Sequence, residues 1–193
     1  MNRAGAATYA TPIALGFFVA GAWVVTFAQS DSMNLSAPAF LAVWAAMMTA
    51  MMLPSASPLV LLYRRSATAT RTTALTLGYL AVWAALGVLA YAYLRSGWMV
   101  APWAVLAAAG IYQVTPLKTA CLRRCRTPAD FLILRWGRSP LRLGVEHGAW
   151  CAGCCWALMA VLVVAGGMGL AWVVGLAALV LVEKLVQIGR AHV

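Results

Sequence analysis

Three thiols and an imidazole share one face of an apolar segment. In E-H-G-A-W-C-A-G-C-C-W-A-L-M, His147, Cys151, Cys154 and Cys155 fall within an arc of roughly 100° at 3.6 residues per turn. All four are soft or borderline donors, the kind that hold Cu(I) or Zn(II) in preference to magnesium, calcium or manganese. Ionisable groups are expensive in hydrocarbon and turn toward the protein interior, where they mark functional sites. His147 sits near one end of the segment, and Cys154 and Cys155 lie roughly 10 to 12 Å deeper at 1.5 Å rise per residue. Met159 extends the same side with a thioether. A single helix supplies two or three ligands and cannot enclose an ion, so other segments must complete the shell.

Two further clusters offer to do so. In M-M-T-A-M-M-L-P-S-A-S-P, Met47, Met48, Met51 and Met52 form a broad face, with Met47 beside Met51 and Met48 beside Met52 at the i,i+4 spacing that brings side chains together. Pro54 follows; inside a helix it frees a backbone carbonyl and bends the rod, and Ser55 and Ser57 are placed to satisfy the freed groups. In T-P-L-K-T-A-C-L-R-R-C-R-T-P, a short helix begun at Pro116 puts Cys121 and Cys125 at i and i+4 among Lys118, Arg123, Arg124 and Arg126. Neighbouring cations favour the thiolate, the form that binds metal, and make this pair an expected entry or exit site at the same membrane face as His147.

The elements that must position these groups are membrane spans. Of 193 residues, 64% are hydrophobic and 9% charged, with a mean hydropathy of +0.87, against about a quarter charged in soluble domains. The expected fold is an all-α polytopic bundle of about six spans: Thr11 to Ala28, Ala39 to Tyr63, Thr73 to Leu94, Trp98 to Val114, Gly144 to Val164 and Met168 to Val186. Each approaches the roughly 20 residues that cross a hydrocarbon core, the fourth being short. Small residues on the first span, Gly16, Ala20 and Gly21, point to close helix packing there.

The net charge of +10 gathers in the segments between spans, at Arg64, Arg65, Arg71, Lys118, Arg123, Arg124, Arg126, Arg135, Arg138 and Arg142, with Lys184 at the far end. That distribution puts both termini in the cytoplasm and reads as topology and anionic-lipid contact, not as nucleic-acid binding. Glu146 is expected to meet the basic loop, and Glu183 to pair with Lys184 at the interface. Residues 1–187 form one integral membrane domain. The last six, Ile188 to Val193, read like a translated sequencing adapter and are expected to be a non-native tail, which would leave His147 as the sole native histidine. A complete genomic copy carrying the same six residues would refute that.

Each cluster also has a plain reading: methionines fill gaps in cores, free cysteines serve as small hydrophobes, and a buried histidine can be a capped interior group. Still, across M-M-x-x-M-M-L-P-S, P-L-K-x-x-C-L-x-x-C-R and E-H-G-x-x-C-x-G-C-C-W-x-L-M, roughly Ala39 to Lys184, the chain resembles the DUF2182 family. The resemblance implies a metal-binding multi-pass protein of the bacterial inner membrane and brings no reaction or cargo with it.

The residues favour a non-enzymatic Cu(I) handler that traffics copper or delivers it to a membrane metalloenzyme or from a metallochaperone. Cys151, Cys154 and Cys155 are then core ligands, His147 a ligand or gate, the four methionines a thioether path, and Cys121 with Cys125 an exchange pair. Thioethers bind Cu(I) well and Zn(II) poorly, which makes a structural Zn(II) site the second choice. The same residues would also suit a thiol oxidoreductase built on Cys151-x-x-Cys154, or a metal transporter. Copper oxidases and di-iron sites are set aside, because the four acids, Asp31, Asp130, Glu146 and Glu183, are scattered. The metal reading requires a sulfur from another segment within about 8 Å of the fifth-span sulfurs.

Overall fold

The computed structural model describes residues 3–28, 36–98, 100–164 and 170–185. Among them there are eight helices and no strand: α1 (Arg3–Ala28), α2 (Ala37–Ser66), α3 (Ala69–Arg95), α4 (Pro102–Gln113), α5 (Pro116–Arg126), α6 (Pro128–Ile133), α7 (Pro140–Val164) and α8 (Leu170–Leu185). Proline opens several of them, where its fixed φ suits the first turn and its missing N–H goes unneeded. Thr68 and Thr115 cap α3 and α5 by accepting the backbone N–H groups of Arg71 and Lys118.

Four helices are long and apolar enough to cross a membrane: Ala10–Ala28, Ala37–Ser66, Ala69–Arg95 and Pro140–Val164. The expected fourth span is broken. Its 12-residue helix α4 turns through 66° into α5, and only the bent pair together reaches span length. The expected sixth appears as α8, whose 16 residues cover about 24 Å at 1.5 Å per residue. The ends expected for it at Met168 and Val186, and the tail 188–193, lie outside the described residues.

Helix α7 is the hub, packed against α3, α4, α5 and α8, while α2 lies against α1, α3 and α8. The closest approach is the α3–α7 seam, and three glycines make it. A Cβ on Gly144 would strike the carbonyl oxygen of Leu75 and come within 2.8 Å of the Tyr79 nitrogen. A Cβ on Gly78 would strike the Leu141 carbonyl, and one on Gly148 would lie 3.1 Å from the Tyr79 carbonyl. Gly144 and Gly148 form a G-x-x-x-G spacing that lets two backbones touch. The small residues of α1 do no such thing: nothing lies within 4 Å of a Cβ at Gly16 or Gly21, and Ala20 is exposed. A small residue permits close approach, but only a partner aimed at it produces one.

Helix α2 continues unbroken through Pro54 and Pro58. Pro58 lacks the N–H that would bond the Pro54 carbonyl, and the Ser57 hydroxyl donates to that carbonyl instead, at 2.7 Å. Ser55, expected to serve the break at Pro54, donates at 2.7 Å to the Met52 carbonyl. Its oxygen is thereby fixed facing the interior.

Candidate metal centre

Helix α5 is amphipathic, and that amphipathicity builds the site. Lys118, Cys121 and Cys125 recur at i, i+3 and i+7 and are all buried. Each meets something specific. Lys118 donates to both carboxylate oxygens of Glu183 on α8, at 2.8 and 2.9 Å. Cys121 packs on Gly153, whose missing side chain leaves room for its sulfur. The Arg124 guanidinium sits 4.1 Å above the Trp150 ring. Docked this way, α5 carries Cys125 in beside Cys151 and Cys154 of α7, and the three Sγ atoms all lie within 4.8 Å of one another.

This alters the expected division of labour. Cys121 and Cys125 lie on one side of the helix expected from Pro116, but both are buried and they part company, Cys125 joining the α7 thiols and Cys121 lying against Gly153. Cys155 is buried on the same face of α7, its thiol donating to the Cys151 carbonyl at 2.8 Å, as Cys154 does at 3.0 Å. His147 lies one turn earlier, between the rings of Phe131 and Tyr79, with centroids 5.2 and 6.0 Å away. It stands outside the three-sulfur group, and its buried Nδ1 has no hydrogen-bond partner among the described residues. Met47, Met48, Met51 and Met52 are buried in the same core cluster as the cysteines, as is Met159.

Cys151 is the best connected of the thiols. The Lys184 ammonium donates to its Sγ at 3.0 Å and to the Ser55 hydroxyl at 2.8 Å. The Tyr79 hydroxyl lies 3.2 Å from the same Sγ and 3.2 Å from the Met52 carbonyl oxygen. Four helices thus converge on one sulfur.

The sequence pattern singles out none of Lys184, Tyr79 and Ser55 as a site residue, and Lys184 reverses an expectation. It is neither an interfacial charge nor the partner of Glu183: successive helical residues point about 100° apart, so Glu183 reaches Lys118 while Lys184 turns inward, 5% exposed. A signal existed, since Lys184 continues the buried stripe of Val173, Ala177 and Val180 on α8. Lys118, read as a topology charge, is buried too. Glu146 does meet the basic segment, bonded by Arg135 at 2.7 Å, Arg142 at 3.2 Å and Arg138.

The donor set fits a soft metal ion. Sulfur ligands lie about 2.3 Å from a bound d10 ion, so two on opposite sides stand about 4.6 Å apart and three around it about 4 Å; the three Sγ atoms, all within 4.8 Å of one another, are close enough to share one ion. We expect Tyr79→Phe, which removes a partner of Cys151 without changing ring packing, to weaken metal binding about tenfold, as loss of an outer hydrogen bond does. Competition titration against a chelator measures it; an unchanged affinity would confine the hydroxyl to its bond with Met52.

Residues 41–193 match the model of the PpoB2 family, described as a copper chaperone. No curated protein and no solved structure gives a match.

Proposed function

The chain belongs to that copper chaperone family, and on this premise we propose that it is an integral membrane protein that binds Cu(I) in a buried pocket and passes it on. The observation that carries the reading is the meeting of Cys125, Cys151 and Cys154 within 4.8 Å in the core. Their sulfurs are the ligands. Two or three thiolates satisfy Cu(I), whereas structural zinc takes four ligands in a tetrahedron. His147 stands apart from the three-sulfur group, which argues against the tetrahedral Cys3His set. The buried methionines of α2 and Met159 line the way to and from the thiols, since thioethers take Cu(I) without competing with thiolates for its retention. His147, with a free ring nitrogen toward the basic end of α7, is the gate ligand, and Cys155 and Cys121 stand by as exchange partners.

The protein crosses the inner membrane six times, with α4 and α5 as one broken span, α8 as the last, and both termini in the cytoplasm. Large apolar side chains such as Phe17, Leu89, Ile111 and Trp172 cover its outside, a surface that suits lipid and not water. Among the described residues neither a carboxylate nor a histidine joins the three sulfurs, and the chemistry we assign to them is exchange: one thiolate of the carrier is replaced by one of the acceptor while copper stays Cu(I). A membrane metalloenzyme is the destination.

Detergent-purified protein from cells grown with both metals is expected to contain copper in excess of zinc by elemental analysis, and to give it up to a metal-free thiolate acceptor. Protein that emerges bare of copper despite ample supply would end this reading.

A further inference from the structure

The Lys184 ammonium lies where a positive charge is most costly, 5% exposed in the core. It is pinned between the Ser55 hydroxyl at 2.8 Å and the Cys151 sulfur at 3.0 Å. Its neighbour Glu183 is engaged by Lys118 through both oxygens, and none of the ion pairs among the described residues involves Lys184. A full charge therefore faces the thiols with no carboxylate to offset it. An ion bound to Cys151 at a sulfur–metal distance of about 2.3 Å sits no more than about 5.3 Å from Nζ, which is 3.0 Å from the sulfur. The repulsion between that ion and the ammonium scales with the ion's charge, and burial leaves it weakly screened.

We propose that Lys184 is a charge filter, which makes the Cys125, Cys151 and Cys154 pocket select a monovalent soft cation over a divalent one. The three sulfurs do this only in part. Thiolates hold both Cu(I) and Zn(II), which are d10 ions without a ligand-field preference, and a low ligand number favours Cu(I) only until water or another donor completes a zinc tetrahedron; charge is the further discriminating quantity, and Lys184 is the group that reads it. Ser55 holds the ammonium in register, with its own hydroxyl proton committed to the Met52 carbonyl. The proposal rests on the metal-binding reading of this pocket.

The pair Ag(I) and Cd(II) isolates the effect, because the two ions are isoelectronic and both thiophilic. Affinities of the metal-free, detergent-purified full chain for each are measured by competition at one pH, for the wild type, Lys184→Met and Lys184→Arg. The Ag(I)-over-Cd(II) preference is expected to fall on the order of 100-fold in Lys184→Met, the size of one unit charge at this distance. Lys184→Arg, which keeps the charge, is expected to retain the preference. Taking the ratio removes any general change in thiol readiness, which acts on both ions together. An unchanged ratio in Lys184→Met, a loss of both ions together, or an equal fall in Lys184→Arg would each overturn the filter. A wild type that binds neither ion overturns the copper reading itself, whereas a wild type that binds Ag(I) while Lys184→Met keeps its ratio overturns the filter alone.

Discussion

Cys125→Ser should lower Cu(I) affinity by roughly 100- to 1,000-fold, the share of one ligand in a thiolate-bound metal's binding energy, whereas Cys121→Ser should cost about tenfold or less, as outer-shell changes do. The comparison is demanding because the two cysteines have so much in common. They sit one turn apart on the same face of α5, both buried, both beside arginines. Only position separates them: the Cys125 sulfur is within 4.8 Å of two others, while Cys121 lies against Gly153. A generic requirement for thiols in α5, or a pair acting as a surface relay, would make the two variants equal. Chelator competition on the purified variants decides between these outcomes, with Cys151→Ser as the reference for a lost ligand.

Gly144→Ala is expected to destabilise the protein by about 2–3 kcal/mol, the usual cost of forcing a methyl group into a packed contact. For a chain of this size that lowers the thermal midpoint in detergent by about 4–12 °C. The new methyl meets backbone, the Leu75 carbonyl and the Tyr79 nitrogen, so no side chain can swing aside. Relief requires α3 to move off α7, and Tyr79 moves with it, away from Cys151. Metal affinity should therefore fall along with stability. Gly16→Ala and Gly21→Ala, where the added atom meets nothing, should leave the midpoint unchanged or slightly raised, since alanine favours an exposed helix over glycine by up to about 1 kcal/mol. Equal effects at all three positions would mean that helix propensity, not the α3–α7 seam, governs the response.

How far the sequence could be read follows from the range of the forces involved. Apolar length and proline placement are local, and they locate α1, α2, α3 and α7 to within a few residues, apart from the start of α1. The thiol face of α7 is local as well, since helical spacing alone groups Cys151, Cys154 and Cys155. What it cannot supply is the partner from another helix. Cys125 lies 26 to 30 positions before the α7 cysteines, in a stretch whose arginines mask the buried Lys118, Cys121 and Cys125 stripe. Lys184 was obscured by a neighbour of opposite sign, although its alignment with Val173, Ala177 and Val180 was there to be followed. Tyr79 gave less warning, being one phenol among several in apolar spans. The α3–α7 seam was legible in G-V-E-H-G, but the histidine between the glycines drew the reading toward ligands and away from packing.

The Lys118–Glu183 ion pair bears on how the three-sulfur pocket opens. It ties α5 to α8, and so ties the helix that carries Cys125 to the helix that carries Lys184. A partner that drew Lys118 away from Glu183 would loosen a sulfur and an ammonium in a single movement, which makes this pair a latch shared by two sides of the pocket.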